Sequence, residues 1–132
     1  MSHLLDVNFL IACGWESHTE HIRASRWLSR AKSFATCPIS EMGFLRVSLS
    51  PAYGASFDDA MAALGAIAKM RTHRFLRDAT HAQSLPHVST SKDVTDAHFV
   101  QLARRYGLKL ATFDAALCEK EWALGVAEDP TR

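Results

Sequence analysis

Leu4-Leu5-Asp6-Val7-Asn8-Phe9-Leu10-Ile11-Ala12 is an apolar run with one carboxylate inside it. Such a run suits a buried strand that leads straight into a buried helix. A carboxylate in the middle of either element is unfavourable, because loss of water without partners penalises its charge. The carboxyl end of a parallel strand avoids this, and α/β proteins set their ligand sites there. The run therefore predicts a strand over residues 2–6, a helix over 7–14 stopped by Gly14, and Asp6 at the edge between them. Asp is also favoured as a helix N-cap, so spacing alone leaves both roles open.

The rest of the chain alternates in the same way. Ser17-His18-Thr19-Glu20 has the capping-box pattern and predicts a helix running to Lys32. Ile22, Trp27, Leu28 and Ala31 are its apolar stripe, with Arg23, Arg26 and Arg30 on another side. Residues 34–37 predict a second buried strand. Pro38 suits the first turn of the helix that follows, over 39–49. Ile39, Met42, Leu45 and Leu49 are the expected apolar positions of that helix. Ser56 caps a helix over 57–70, with apolar positions Met61, Leu64, Ile67, Ala68 and Met70. Residues 74–76 are a candidate third strand, and 80–88 a loop or short helix. A helix over 91–106 ends at Gly107. A fourth strand over 108–112, a short helix over 115–122 and a brief strand over 125–127 complete the chain. Strands separated by helices imply right-handed crossovers and a parallel sheet covered on both faces.

That topology places four acids near one sheet edge. Asp6 and Asp114 fall at the carboxyl ends of strands. Glu41 lies just after the second strand, and Asp96 in the opening turns of the helix at 91–106. Carboxylates that converge raise one another's pKa. A hard divalent cation relieves that conflict, and Mg²⁺ or Mn²⁺ prefers oxygen ligands. Such a centre polarises a phosphate and activates a water, which is the chemistry of phosphodiester hydrolysis. Asn8 and Thr112 are placed to support the acids by hydrogen bonding. Each acid has a plainer reading: Asp6 and Asp114 as helix caps, Glu41 as a complement to a helix dipole. Asp93 shares a helix face with Asp96 and reads as a first-turn charge outside the core site.

Composition narrows the function classes. The 132 residues suit one domain, residues 1–132, and 48% hydrophobic residues argue against disorder. A net charge of +1 neither requires nor excludes a nucleic-acid partner. No apolar run reaches the roughly 20 residues of a membrane span, and Asp6 interrupts any signal-like core. Cys13, Cys37 and Cys118 fit neither a disulfide framework nor zinc spacing, and read as free thiols in a reducing cytoplasm.

Four motifs occur in order: Leu5-Asp6-Val7-Asn8-Phe9-Leu10, Ser40-Glu41-Met42-Gly43-Phe44-Leu45-Arg46-Val47, Val94-Thr95-Asp96-Ala97-His98 and Ala111-Thr112-Phe113-Asp114. The series resembles the PIN-domain family, and within it the VapC-type toxins of bacterial toxin–antitoxin pairs. The resemblance covers nearly the whole chain. It implies a three-layer α/β/α fold with a central, mainly parallel sheet of four to five strands. It also implies a Mg²⁺- or Mn²⁺-dependent ribonuclease, usually a homodimer, held inactive by a small VapB-like antitoxin. Asp6, Glu41, Asp96 and Asp114 match the family's acidic quartet, and Asn8 and Thr112 match its polar neighbours. Arg46 follows Glu41 in a pattern common among these toxins, and is a candidate RNA or antitoxin contact.

Other readings fit less well. A receiver-type signalling domain carries its phosphoacceptor Asp mid-chain beside an acidic pair after the first strand, and neither is present. An aspartyl-phosphate phosphatase of the haloacid-dehalogenase type needs Asp where this chain has Asn8. A catalytically silent RNA-binding or scaffold member of the same fold is the alternative that remains. Two basic clusters, Arg23-Arg26-Arg30-Lys32 and Arg71-His73-Arg74-Arg77, read as solvated faces before they read as RNA contacts. His21 and His98 read as structural or solvent-facing.

Overall fold

Leu4 and Leu5 are both fully buried, and they face opposite layers of the molecule. The computed structural model describes residues 2–132. Its strands are β1 (His3–Leu5), β2 (Phe34–Thr36), β3 (His73–Phe75), β4 (Lys109–Ala111) and β5 (Ala127–Glu128). They form one five-stranded sheet in the order β3-β2-β1-β4-β5, and every pairing is parallel. In register, His3 sits between Phe34 and Lys109, and Leu5 faces Ala111. The helices are α1 (Val7–Gly14), α2 (His21–Arg30), α3 (Pro38–Leu49), α4 (Phe57–Ala68), α5 (Asp93–Arg105) and α6 (Ala115–Cys118). They cover both faces, giving the three-layer α/β/α arrangement. Apart from His3, Thr36 and Lys109, the central strands are apolar, as strands buried on both faces are.

Two cores flank the sheet. Leu4, Ala35 and Leu110 pack under α5, with Phe99, Leu102 and Ala103. Leu5, Phe34 and Ala111 pack on the other side with Phe9, Leu10, Phe44 and Leu64 from α1, α3 and α4. Burial of each such side chain favours folding by about 1.5–3 kcal/mol.

The second helix departs from the expected start. Residues 16–20 form turns, and α2 opens at His21 and closes at Arg30. The capping box does not form. Glu20 instead pairs with Arg23, and its backbone N–H donates to His18 Nδ1 at 2.9 Å. The stripe is also rotated: Ile22 is 68% exposed, while Ala24 and Leu28 are the buried positions.

The larger difference lies in α3. Ile39, Met42 and Leu49, expected inside, are exposed, and Leu45 is half-buried. The buried face is Ser40, Gly43, Phe44 and Ser48. Small residues win because α1 comes very close: a Cβ on Gly43 would stand 2.4 Å from Val7 Cγ2. The two hydroxyls are satisfied locally, Ser48 Oγ donating to the Phe44 carbonyl at 2.7 Å and Ser40 Oγ to the Cys37 carbonyl at 3.1 Å. In α4, Met61 and Ala68 are likewise exposed, and Ala60, Leu64 and Ile67 are buried.

Smaller shifts follow capping and turns. The third strand is His73–Phe75, an outer strand with Phe75 exposed, and residues 82–84 make a short 3₁₀ turn. The helix expected over 115–122 breaks into α6 and a 3₁₀ turn at Glu121–Ala123, and β5 lies two residues later than expected. Gly107, at φ +69°, supplies the left-handed turn between α5 and β4. All three cysteines are free.

Candidate active site

The site forms where β1 and β4 end. Asp6 leaves β1 with extended backbone and caps α1, its Oδ1 accepting from Phe9 N–H at 2.8 Å. Asp114, two residues after Thr112, does the same for α6, its Oδ1 accepting from Leu117 N–H at 3.1 Å. Thr112, fully buried, accepts from Asp114 N–H through Oγ1 at 3.0 Å. Asp96 comes down from the first turns of α5. Asp6 and Asp114 therefore each cap a helix and line the same concavity.

That concavity has a volume of about 360 Å³. Asp6, Asp96, Asp114, Asn8, Thr112 and Arg46 all line it. Burial is the main cause that raises Asp6 from 3.8 to about 6; the Thr112 and Phe9 hydrogen bonds oppose it, and the charges of Asp96 and Asp114 add to it. Asp96 is raised to about 6 as well, first by burial and then by the charges of Asp114 and Asp93. Asn8 Oδ1 lies 3.0 Å from His18 Nε2. Arg46 is exposed, with no carboxylate within ion-pair reach among the described residues.

Glu41 is the one sequence-predicted acid that does not line this concavity. It accepts instead from Thr36 Oγ1 at 2.7 Å, and that oxygen lies 2.6 Å from His73 Nε2. Burial lowers the His73 pKa, against the pull of the Glu41 charge. In the sequence, Thr36 lies within an apolar strand and His73 within a basic cluster, so neither marks itself as a partner of Glu41. The available signal was a lone hydroxyl in an otherwise apolar strand, five residues before an acid.

Asp93 is buried and faces Lys120, whose Nζ is 3.6 Å from Asp93 Oδ2. It stands outside the concavity. His98 Nε2 lies 2.5 Å from Asp78 Oδ2, and His21 Nδ1 lies 2.7 Å from the Ala12 carbonyl, both ties that hold the fold.

The acids suit a hard cation in kind. They are oxygen donors, two of them carry raised pKa values, and an opposing positive charge would relieve both. They are not closed on one point: among the described residues, no three His, Cys, Asp or Glu side chains stand close enough together to chelate an ion unaided. Mg²⁺ fits such a site, because it keeps several waters and needs only one or two carboxylates.

A five-stranded parallel α/β/α fold with acids on the carboxyl edge defines a small class of proteins, and sequence comparison names it. The PIN domain model matches residues 3–123, and the chain belongs to the PIN-domain family. It is similar to Ribonuclease VapC38 of Mycobacterium tuberculosis, 41% identical over 121 residues, which covers 86% of each chain. It is also similar to Ribonuclease VapC39 of the same organism, 40% identical, covering 90% of this chain and 93% of that one. The crystal structure of Mycobacterium tuberculosis VapC20, described as a sarcin-ricin loop cleaving toxin, matches with a TM-score of 0.62. At 18% identity, over 89% of this chain and 92% of that one, this match speaks to the fold.

Proposed function

We propose that this chain is a Mg²⁺- or Mn²⁺-dependent endoribonuclease and the toxin half of a toxin–antitoxin pair. The observation that carries the reading is the concavity that Asp6, Asp96 and Asp114 line, at the carboxyl edge of a parallel sheet. The similarity to ribonucleases of the VapC group supports RNA as the substrate.

Asp6, Asp96 and Asp114 are the residues that would hold the ion, with Glu41 as the fourth acid. The bound ion supplies charge neutralisation at the scissile phosphate and a water of lowered pKa. The protein's own part is positioning. The caps on α1 and α6 fix one oxygen of Asp6 and one of Asp114. Thr112 orients both acids, by its bond to Asp6 and by accepting from the Asp114 backbone. Asn8 offers an amide at the rim, and Arg46 an unpaired cation for a neighbouring phosphate or for the antitoxin. No side chain is needed as the nucleophile.

The same reading treats residues 1–132 as one PIN-like domain that acts in the cytoplasm as a homodimer. Exposed Ile39, Met42, Leu49, Phe57 and Met61 on α3 and α4 offer apolar surface for a second copy or an antitoxin. Among the described residues, no helix is long and apolar enough to cross a membrane.

The test is incubation of purified, antitoxin-free protein with total cellular RNA in Mg²⁺, Mn²⁺ or EDTA. Discrete fragments that require the ion and vanish in Asp6→Asn are expected. Metal-independent cleavage, or full activity in that variant, would overturn the assignment.

A further inference from the structure

Glu41 and its two partners make a short directional chain. Thr36, 1% exposed at the end of β2, donates its hydroxyl proton to Glu41 Oε2. A hydroxyl has one proton to give. With that proton committed, Thr36 Oγ1 has only acceptor capacity left, and His73 Nε2 stands 2.6 Å from it. His73 opens β3, the neighbour of β2, and its ring packs on Phe34 at 5.3 Å. Both partners therefore sit on paired strands of the sheet. Glu41 itself stands in the first turn of α3 with only Oε2 engaged: among the described residues no side-chain bond or ion pair reaches its Oε1.

We propose that Thr36 and His73 are positioning residues for Glu41. They fix its carboxylate by one oxygen and leave the other for the metal ion or one of its waters. The inference rests on the metal-dependent reading above. A glutamate on an open helix turn has three side-chain torsions to settle. Pairing one oxygen through a buried hydroxyl settles them in the fold, before any ion arrives. Carboxylates at metal sites depend on such outer partners for their orientation. The strand hydroxyl and the imidazole are otherwise unexplained: neither touches the acidic concavity, and an alanine or valine would serve the buried strand as well as a threonine.

The experiment is a Mn²⁺ titration of RNA-free protein by calorimetry, beside the Mg²⁺ dependence of RNA cleavage. Thr36→Val and His73→Phe are each expected to raise the Mn²⁺ dissociation constant about tenfold. Thr36→Ser keeps the hydroxyl and is expected to match wild type, which a purely packing role for the threonine methyl would not allow. In a Glu41→Gln background, Thr36→Val is expected to add no further loss. Folded Thr36→Val and His73→Phe proteins that bind Mn²⁺ like wild type would overturn the inference, and His73→Phe decides alone if Thr36→Val does not fold. A wild-type chain that binds Mn²⁺ and cleaves RNA while both variants match it removes only this role for Thr36 and His73. A wild-type chain that does neither removes the nuclease reading with it.

Discussion

On the β1–β4 half of the sheet edge, Asp6 and Asp114 each give one oxygen to a helix N-terminus and line a shared concavity. On the β2–β3 half, Glu41 gives one oxygen to a buried strand hydroxyl backed by an imidazole. The first half crowds like charges: burial and neighbouring acids raise Asp6 and Asp96 to about 6. The second half supplies its acid with a side-chain donor. Capping a helix and lining the concavity are therefore not competing positions for a carboxylate. A backbone N–H takes one oxygen, fixes the group, and leaves the rest of its acceptor capacity free.

The comparison breaks most visibly at Asp6. Asp6→Asn keeps an oxygen to cap Phe9 N–H but removes the charge. Cleavage is expected to fall on the order of a hundredfold or more, as when preorganised electrostatic stabilisation is lost. Circular dichroism should remain that of the wild type. Activity within a few-fold of wild type would show that the crowded half is a structural cluster and not the site.

The same crowding sets a pH dependence. The Asp6 pKa is about 6 in the folded chain against 3.8 as its ordinary value. An acid raised by folding is not destabilising below the unfolded pKa, where both states hold the proton. Its cost grows as pH rises from about 4 and is complete above about 6. For Asp6 that cost is on the order of 2–3 kcal/mol at pH 7. Metal-free protein is therefore expected to lose stability to chemical denaturation between pH 4 and pH 7. Asp6→Asn should flatten that slope, and saturating Mg²⁺ should oppose it. A wild-type slope of the opposite sign would mean that another group dominates.

Glu41 sharpens the contrast. Glu41→Gln removes the acid that Thr36 of β2 holds by a hydrogen bond, and the expected loss of cleavage is about tenfold, smaller than at Asp6. A loss equal to that of Asp6→Asn would place Glu41 on a par with the crowded acids and erase the distinction between the two halves.

How much of this was legible follows from what each residue touches. Asp6 and Asp114 announced themselves because an acid closing an apolar strand has few places to go. The parallel sheet followed from strands that are apolar on both faces. The buried face of α3 is not legible as apolarity, because Gly43, Ser40 and Ser48 are inside through close helix approach and local hydroxyl bonds. The capping box at Ser17 failed for a similar reason, since Glu20 had a stronger partner in Arg23. The Thr36–His73 pairing joins residues 37 positions apart, and only the register of β2 with β3 brings them together.

Gly43 is the seam between the two halves, since it lets α1, which carries Asp6 at its start, approach α3, which carries Glu41. A Cβ there would stand 2.4 Å from Val7 Cγ2, closer than real side chains tolerate. Gly43→Ala gains about 1 kcal/mol of helix propensity, while overpacking of this kind costs about 1–3 kcal/mol. The net expectation is a loss of about 1 kcal/mol in denaturant unfolding. Val7→Ala alone should also destabilise, by opening space beside Gly43. The two together should cost less than their sum, because the alanine methyl at 43 fills what the valine vacates. If they add without coupling, the helices do not meet through this pair, and the two halves of the edge are set independently.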